Sequence, residues 1–188
     1  MRSRFLPEGR LLHTPENEAA CASCDGLRRA MEEGTVLEGV AQLCDGAHNL
    51  LVSVGPFTGF LPREEAALGI AEGTTREIAI LSRVGKPVCF QITALEESEG
   101  VLRPRLSRRR AQQAALDAML AGLHPGCILP AVVTHLESFG AFVDIGCGVP
   151  SLIGIENISV SRIPHPDQRF RVGQAIFAVV QELDPKLG

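Results

Sequence analysis

The sequence has no tryptophan and no tyrosine, and only 8 phenylalanines among its 188 residues. An aromatic ring placed on the surface of such a chain needs a reason. No apolar run approaches the roughly 18 residues of a membrane-spanning helix, so no membrane partner is expected. The opening MRSRFLPEGRLLHTPENE is charged and broken by Pro and Gly, unlike the apolar centre of a secretory signal. Missing too is a glycine-rich phosphate loop of the GxxxxGK type. No carboxylate pair stands out, and no nucleophile accompanies the scattered His124, His135 and His165. No catalytic residue and no cofactor is expected. Cys21 and Cys24 form the one close cysteine pair, whereas a structural zinc site takes four ligands, usually from two such pairs; no metal is expected either. The 6 cysteines sit mostly among apolar neighbours, as reduced thiols of a cytoplasmic protein do.

Bulk positive charge is also absent. The net charge is −4, which argues against a polyanion binder that works through a whole-protein field. The distribution is uneven: residues 101–124 carry +4, through Arg103, Arg105, Arg108, Arg109 and Arg110, while residues 34–100 carry −5. The arginine insert reads either as a set of phosphate contacts or as a solvated strand end and helix start.

What is present is a weak duplication. RVGKPVCFQITAL (83–95) aligns with RVGQAIFAVVQEL (171–183) at an offset of 88, EGTVLEGV with PGCILPAV at 92, and LVSVG (51–55) with FVDIG (142–146). Each unit reads as short strands separated by glycine turns, the pattern of a small barrel or sandwich. Units of roughly 65–70 residues suit a five-stranded barrel of the oligonucleotide-binding type. The fold class expected is therefore mainly β. Two five-stranded barrels are joined by a linker helix and preceded by a helical segment: residues 1–33 N-terminal helices, 34–109 first barrel, 110–124 linker, 125–188 second barrel. Second-unit strands are expected near 126–136, 140–146, 150–155 and 174–183. Gly188 aligns with Gly100, after which the first unit still has VLRPRLSRR; the second barrel is expected to lack its last strand.

The helices follow from local signals. Thr14-Pro15-Glu16 reads as an N-cap followed by Pro at the first helical position. That helix is expected to break near Asp25-Gly26 and to end at Gly34. In RRRAQQAALDAMLAGL (108–123), Leu116, Met119, Leu120 and Leu123 recur at helical spacing and predict the packed face. In FGAFVDIG (139–146), alternation puts Val143 and Ile145 on one face and Phe142 with Asp144 on the other. Because an aspartate belongs outside, Phe142 is expected outside as well. Phe139 and Phe142 then form either a stacking platform for bases or an anchor for packing.

PGCILPAVVTHLESFGAFVDIGCGVPSLIGIENISVSRI, followed by RVGQAIFAVVQELD, resembles the S-one RNA-binding repeat first described in the largest protein of the small ribosomal subunit. The order of features agrees: a glycine-led strand, FGAFVDI, a glycine turn, a GLI-like strand, an IS segment, VGQ and a closing aspartate. Residues 34–109 resemble it more distantly, and the whole resembles the N-terminal part of a multi-repeat chain. The resemblance implies an RNA-binding face containing Phe139, Phe142 and Asp184. Arg162, Arg169 and Arg171, near the barrel rim, are read as candidate backbone contacts, and Lys186 as a further RNA-binding candidate. The family's frequent third-strand histidine is replaced here by Gly154. In the first unit the corresponding positions hold Ala47, His48 and Leu51, which implies a repeat that binds protein.

The function expected is a non-enzymatic protein that holds single-stranded RNA, such as messenger RNA, in translation. The first repeat would dock on the small ribosomal subunit or another protein. A protein-docking adaptor and an accessory module of an RNA-processing enzyme are the alternatives.

Overall fold

The computed structural model describes residues 5–98 and 100–183. The chain divides into two compact units: Glu8–Ala114, and Ala115–Gly188 together with Met1–Pro7. Two helices, α1 (Pro15–Cys21) and α2 (Cys24–Glu33), lead into strands β1 (Leu37–Cys44), β2 (Leu50–Val54) and β3 (Phe57–Leu61). A short helix α3 (Ile78–Leu81) precedes β4 (Pro87–Ser98) and β5 (Val101–Ser107). Helix α4 (Arg108–Gly122) carries the chain into the second unit, which contains β6 (Ile128–Glu137), β7 (Gly140–Asp144), β8 (Pro150–Gly154) and β9 (Ala175–Val179). Among the described residues no helix is long and apolar enough to cross a membrane.

The first unit is a closed barrel in the order β1-β2-β3-β5-β4, and the second a sheet in the order β8-β7-β6-β9. The two orders agree if β6, β7, β8 and β9 repeat β1, β2, β3 and β4. The register agrees as well. Ala41 pairs with Val52 and Leu43 with Leu51, with a bulge between; Val133 pairs with Val143 and His135 with Phe142, with a bulge between. Both units are thus oligonucleotide-binding-type barrels in strand order. The second-unit strands lie near their expected bounds, β6 running one residue past 136 and β9 stopping at Val179, and the fifth strand anticipated past Gly188 lies outside the described residues.

The first core is mostly aliphatic with one aromatic at its centre, built from Leu37, Leu50, Val52, Leu61, Val88, Phe90, Ile92 and Leu106 with Leu27 of α2. Thr14 caps α1 by accepting from the Asn17 amide. The break between helices falls at Ala22-Ser23, before the expected Asp25-Gly26. Ser23 caps α2 by accepting from the amide of Gly26. Gly26 is a packing residue instead: a Cβ there would strike the carbonyl oxygen of Ala20. Gly34 closes α2 in the left-handed conformation, at φ 61°. The packed stripe of α4 also differs. Arg108, Ala111, Ala115 and Met119 are buried, while Leu120 is exposed and Leu116 and Leu123 are half-buried. The row starts at Arg108, a residue that helical spacing of leucines does not select and that its ion pair with Glu8 allows to be buried.

Two buried carboxylates fasten the segment before α1. Glu8 takes two hydrogen bonds from Arg108, at 2.6 and 2.9 Å, one from Arg83 at 3.1 Å and one from the Cys89 amide at 3.1 Å. Glu38 of β1 accepts from the amides of Gly9, Leu11 and Leu12 at 2.6–2.9 Å. Burial alone would raise the Glu8 carboxyl. The charge and hydrogen bonds of Arg108, with Arg83 and the Cys89 amide, outweigh it and hold Glu8 below the usual range. At Glu38 burial wins over the three amides and pushes the carboxyl up.

The signs are opposite. Glu8 contributes stability above the ordinary glutamate pKa, lost as pH falls through its depressed folded value; Glu38 contributes below the ordinary pKa and loses that contribution as pH rises through its raised value. Glu8→Gln is expected to flatten the acid limb of stability against pH. Urea midpoints measured from about pH 3 to pH 7 check this. An acid limb as steep as the parent's would refute the assignment.

Candidate nucleic-acid interface

The bulge in β6 decides what the outer face of the second unit presents. Strict alternation would put His135 on the same side as the buried Val133. The extra residue, Thr134, reverses the parity, so that Leu136 packs against the core and His135 stands outside opposite Phe142. Across β6, β7 and β8 two rows result: His135–Phe142–Leu152, and Glu137–Gly140–Gly154. Phe139 sits in the turn before β7 and is 54% exposed. Its carbonyl accepts from the Ile155 amide at 3.0 Å, fixing the turn to the end of β8.

The rings of Phe139 and Phe142 meet edge to face, with centroids 6.1 Å apart. His135 lies on the other side of Phe142, at 6.3 Å between centroids and 33° between planes. Its Nε2 is 2.7 Å from Glu137. Three flat groups therefore share one open face, and every base offers a flat partner to them. Gly140 has no room for a side chain: a Cβ would strike the carbonyl oxygen of Ile153.

The expected reason for Phe142 facing outward is wrong even though the orientation stands. Asp144 is buried, at 4% exposure, and accepts from the amides of Gly146 and Gly148 at 2.8 and 2.9 Å. It ends β7 by holding the glycine turn together. The short side chain satisfies the turn locally, so it does not need water.

Of the other residues read as contacts, Arg162 and Arg171 are exposed on the connection between β8 and β9. The Arg171 backbone amide donates to Gln174 at 2.9 Å. Among the described residues no cation stacks on either Phe ring. Asp184 and Lys186 lie outside the described residues. The arginine insert is largely committed: Arg108 to Glu8, Arg109 to Glu72 and Arg105 to Glu96. Arg103 and Arg110 are exposed.

In the first unit the matching row is Leu43–Leu51–Phe60. It does contain an aromatic, Phe60, opposite Leu51, where the second unit has Leu152; reading along β2 alone missed it. His48 takes the place of Phe139, at φ 64°. It is 3.1 Å from Glu77, which also binds Arg63 at 2.5 Å. The cysteine pair straddles the junction of α1 and α2. Burial pushes the Cys21 thiol up to about 11, leaving little thiolate at neutral pH.

A curled antiparallel sheet with aromatics on its outer strand face defines the second unit as an oligonucleotide-binding-type module. Residues 123–188 match the S1 RNA binding domain family. The similarity of the chain runs further. It is 27% identical over 175 residues to the small ribosomal subunit protein bS1 of Neisseria meningitidis, covering 90% of this chain and 29% of that protein. It is 28% identical over 184 residues to bS1 of Mycobacterium tuberculosis, covering 94% and 35%. A shorter stretch of 102 residues is 36% identical to Protein tex of Bordetella pertussis, covering 54% and 13%. The chain spans about a third of the length of the bS1 relatives.

Proposed function

We propose that the chain binds single-stranded RNA without catalysing a reaction, and that it does so in translation, on messenger RNA at the ribosome. The observation that carries this is the open face of Phe139, Phe142 and His135 on an S1 domain. Stacking is indifferent to base identity and contributes roughly 1–3 kcal/mol per base. Asp184 belongs to the same proposed face, and Arg162, Arg171 and Lys186 complete the proposed contact set along the RNA backbone.

The first unit has a different task in this reading. Leu43 is 53% exposed and forms with Leu51 and Phe60 an apolar row suited to protein. Leucine buries area but cannot stack on a base. We assign this row to docking on the small ribosomal subunit or another protein, which also keeps the adaptor reading alive for that unit. A role as an accessory module beside an RNA-processing enzyme is the other context.

The test substitutes Phe142→Leu, giving the second unit what the first has at Leu51. Titrated with fluorescent single-stranded RNA, the folded variant is expected to bind about five- to a hundredfold more weakly, the loss of one stacked base. Unchanged affinity would reject stacking at this position.

A further inference from the structure

The row beside the rings holds a feature that RNA binding in general does not explain. Gly140 and Gly154 face each other across β7 and β8, leaving a bare floor two residues along β7 from Phe142, about 7 Å by strand geometry. Glu137 flanks Gly140 in the same row and is taken up by His135; the carboxylate of Glu156 lies over Gly154. A Cβ on Gly154 would run into both carboxylate oxygens of Glu156 and its Cδ. The carboxylate is held there. Asn157 donates to Glu156 Oε1 at 3.2 Å, and Asn157 is itself pinned to Gln181 by two amide hydrogen bonds of 3.1 Å. The Phe139 carbonyl ties the turn to the end of β8 beside this floor, accepting from the Ile155 amide.

From this arrangement we infer that the face selects guanine: the base stacks on Phe142 and its Watson–Crick edge donates to the carboxylate of Glu156. The inference rests on the RNA-binding reading above.

The selection follows from the donor inventory of the bases. An ionised carboxylate only accepts. Guanine presents two adjacent donors on its Watson–Crick edge, the N1 hydrogen and the N2 amino group, and can meet both oxygens at once. Adenine and cytosine present one amino donor beside a ring nitrogen whose lone pair faces the carboxylate. Uracil presents one N–H between two carbonyl oxygens. Each of these three places at least one lone pair against a fixed negative charge, so the carboxylate rejects as well as attracts. Gly154 matters because a side chain there would meet the Glu156 carboxylate and displace it from the face. Stacking alone would leave this face unspecific; the carboxylate supplies readout without a cation.

The test uses the 188-residue chain and three fluorescent single-stranded oligonucleotides: oligouridine, the same strand with one central guanosine, and the same strand with inosine there. Inosine keeps the N1 hydrogen and lacks the N2 amino group. The guanosine strand is expected to bind about tenfold tighter than oligouridine, with inosine losing most of that gain. Glu156→Gln, checked for folding by circular dichroism, is expected to reduce the guanosine strand to the oligouridine level. The inosine comparison needs no variant, so it holds even if Glu156→Gln misfolds. Equal binding of guanosine and uridine strands, with binding still lost in Phe139→Ala/Phe142→Ala, would overturn guanine selection and leave the RNA reading standing. A preference that survives in folded Glu156→Gln would overturn the role of Glu156. Binding that ignores the Phe substitutions would overturn both readings.

Discussion

Replacing Arg108 with alanine is expected to destabilise the first unit by about 3–5 kcal/mol, the cost of leaving one buried charge without its partner. Glu8 and Arg108 side chains are each 6% exposed, and their two bonds form a fork between guanidinium and carboxylate. Arg108 also donates to the carbonyl of Ala66 at 3.2 Å. Alanine removes these three hydrogen bonds and leaves Glu8 with the Cys89 amide and Arg83, whose side chain is 22% exposed and supplies less compensation. The partners are 100 residues apart, so the break also loosens the leading segment from the start of α4. Swapping both residues for apolar ones of similar size is expected to cost much less, since no charge is then stranded. Urea unfolding of the two variants decides the matter. A loss under about 1 kcal/mol in Arg108→Ala would show that water reaches the site and solvates Glu8.

That pair also shows where sequence reasoning stops. Glycine turns and the offsets between repeats were enough to place strands and predict two barrels, because each strand announces itself locally. Arg108 announced nothing local. Its partner precedes it by a hundred residues, so it was counted in a basic insert that the fold then largely neutralised. Asp144 was misread for a related reason. Alternation assigns faces within a strand, but β7 ends at that residue and the turn folds two amides onto its carboxylate. His135 was missed because a bulge reverses parity in β6. Phe60 was missed because cross-strand pairing, not position along β2, puts it beside Leu51. The outward placement of the two Phe residues was legible because the FGAFV motif and the scarcity of aromatics point to the same place; their role as a binding site is the proposal made above.

Replacing both Phe139 and Phe142 with alanine is expected to weaken single-stranded RNA binding by roughly 2–4 kcal/mol, about thirty- to a thousandfold in Kd, if each ring stacks one base. The estimate assumes that the rings act as surfaces rather than as core. Phe139 satisfies that, being more than half exposed. Phe142 is half-buried between His135 and Leu152, so its truncation also removes packing. Circular dichroism and the unfolding midpoint of the double variant must therefore accompany the titration. His135 stays in place and retains one flat group, which sets the residual affinity above zero. The dependence on salt should be shallow, because Arg162 and Arg171 are the cations assigned to this face within the described residues, and each phosphate neutralised adds less than one unit to the slope. Double substitution of Leu43 and Leu51 in the first unit provides the control: it should leave RNA affinity unchanged, because aliphatic side chains offer no face for stacking. If the folded Phe double variant binds RNA as tightly as the parent, the rings are a packing or docking feature and the RNA site lies elsewhere. If the leucine control weakens RNA binding by a similar factor, both units contact RNA and the division of labour between them is refuted.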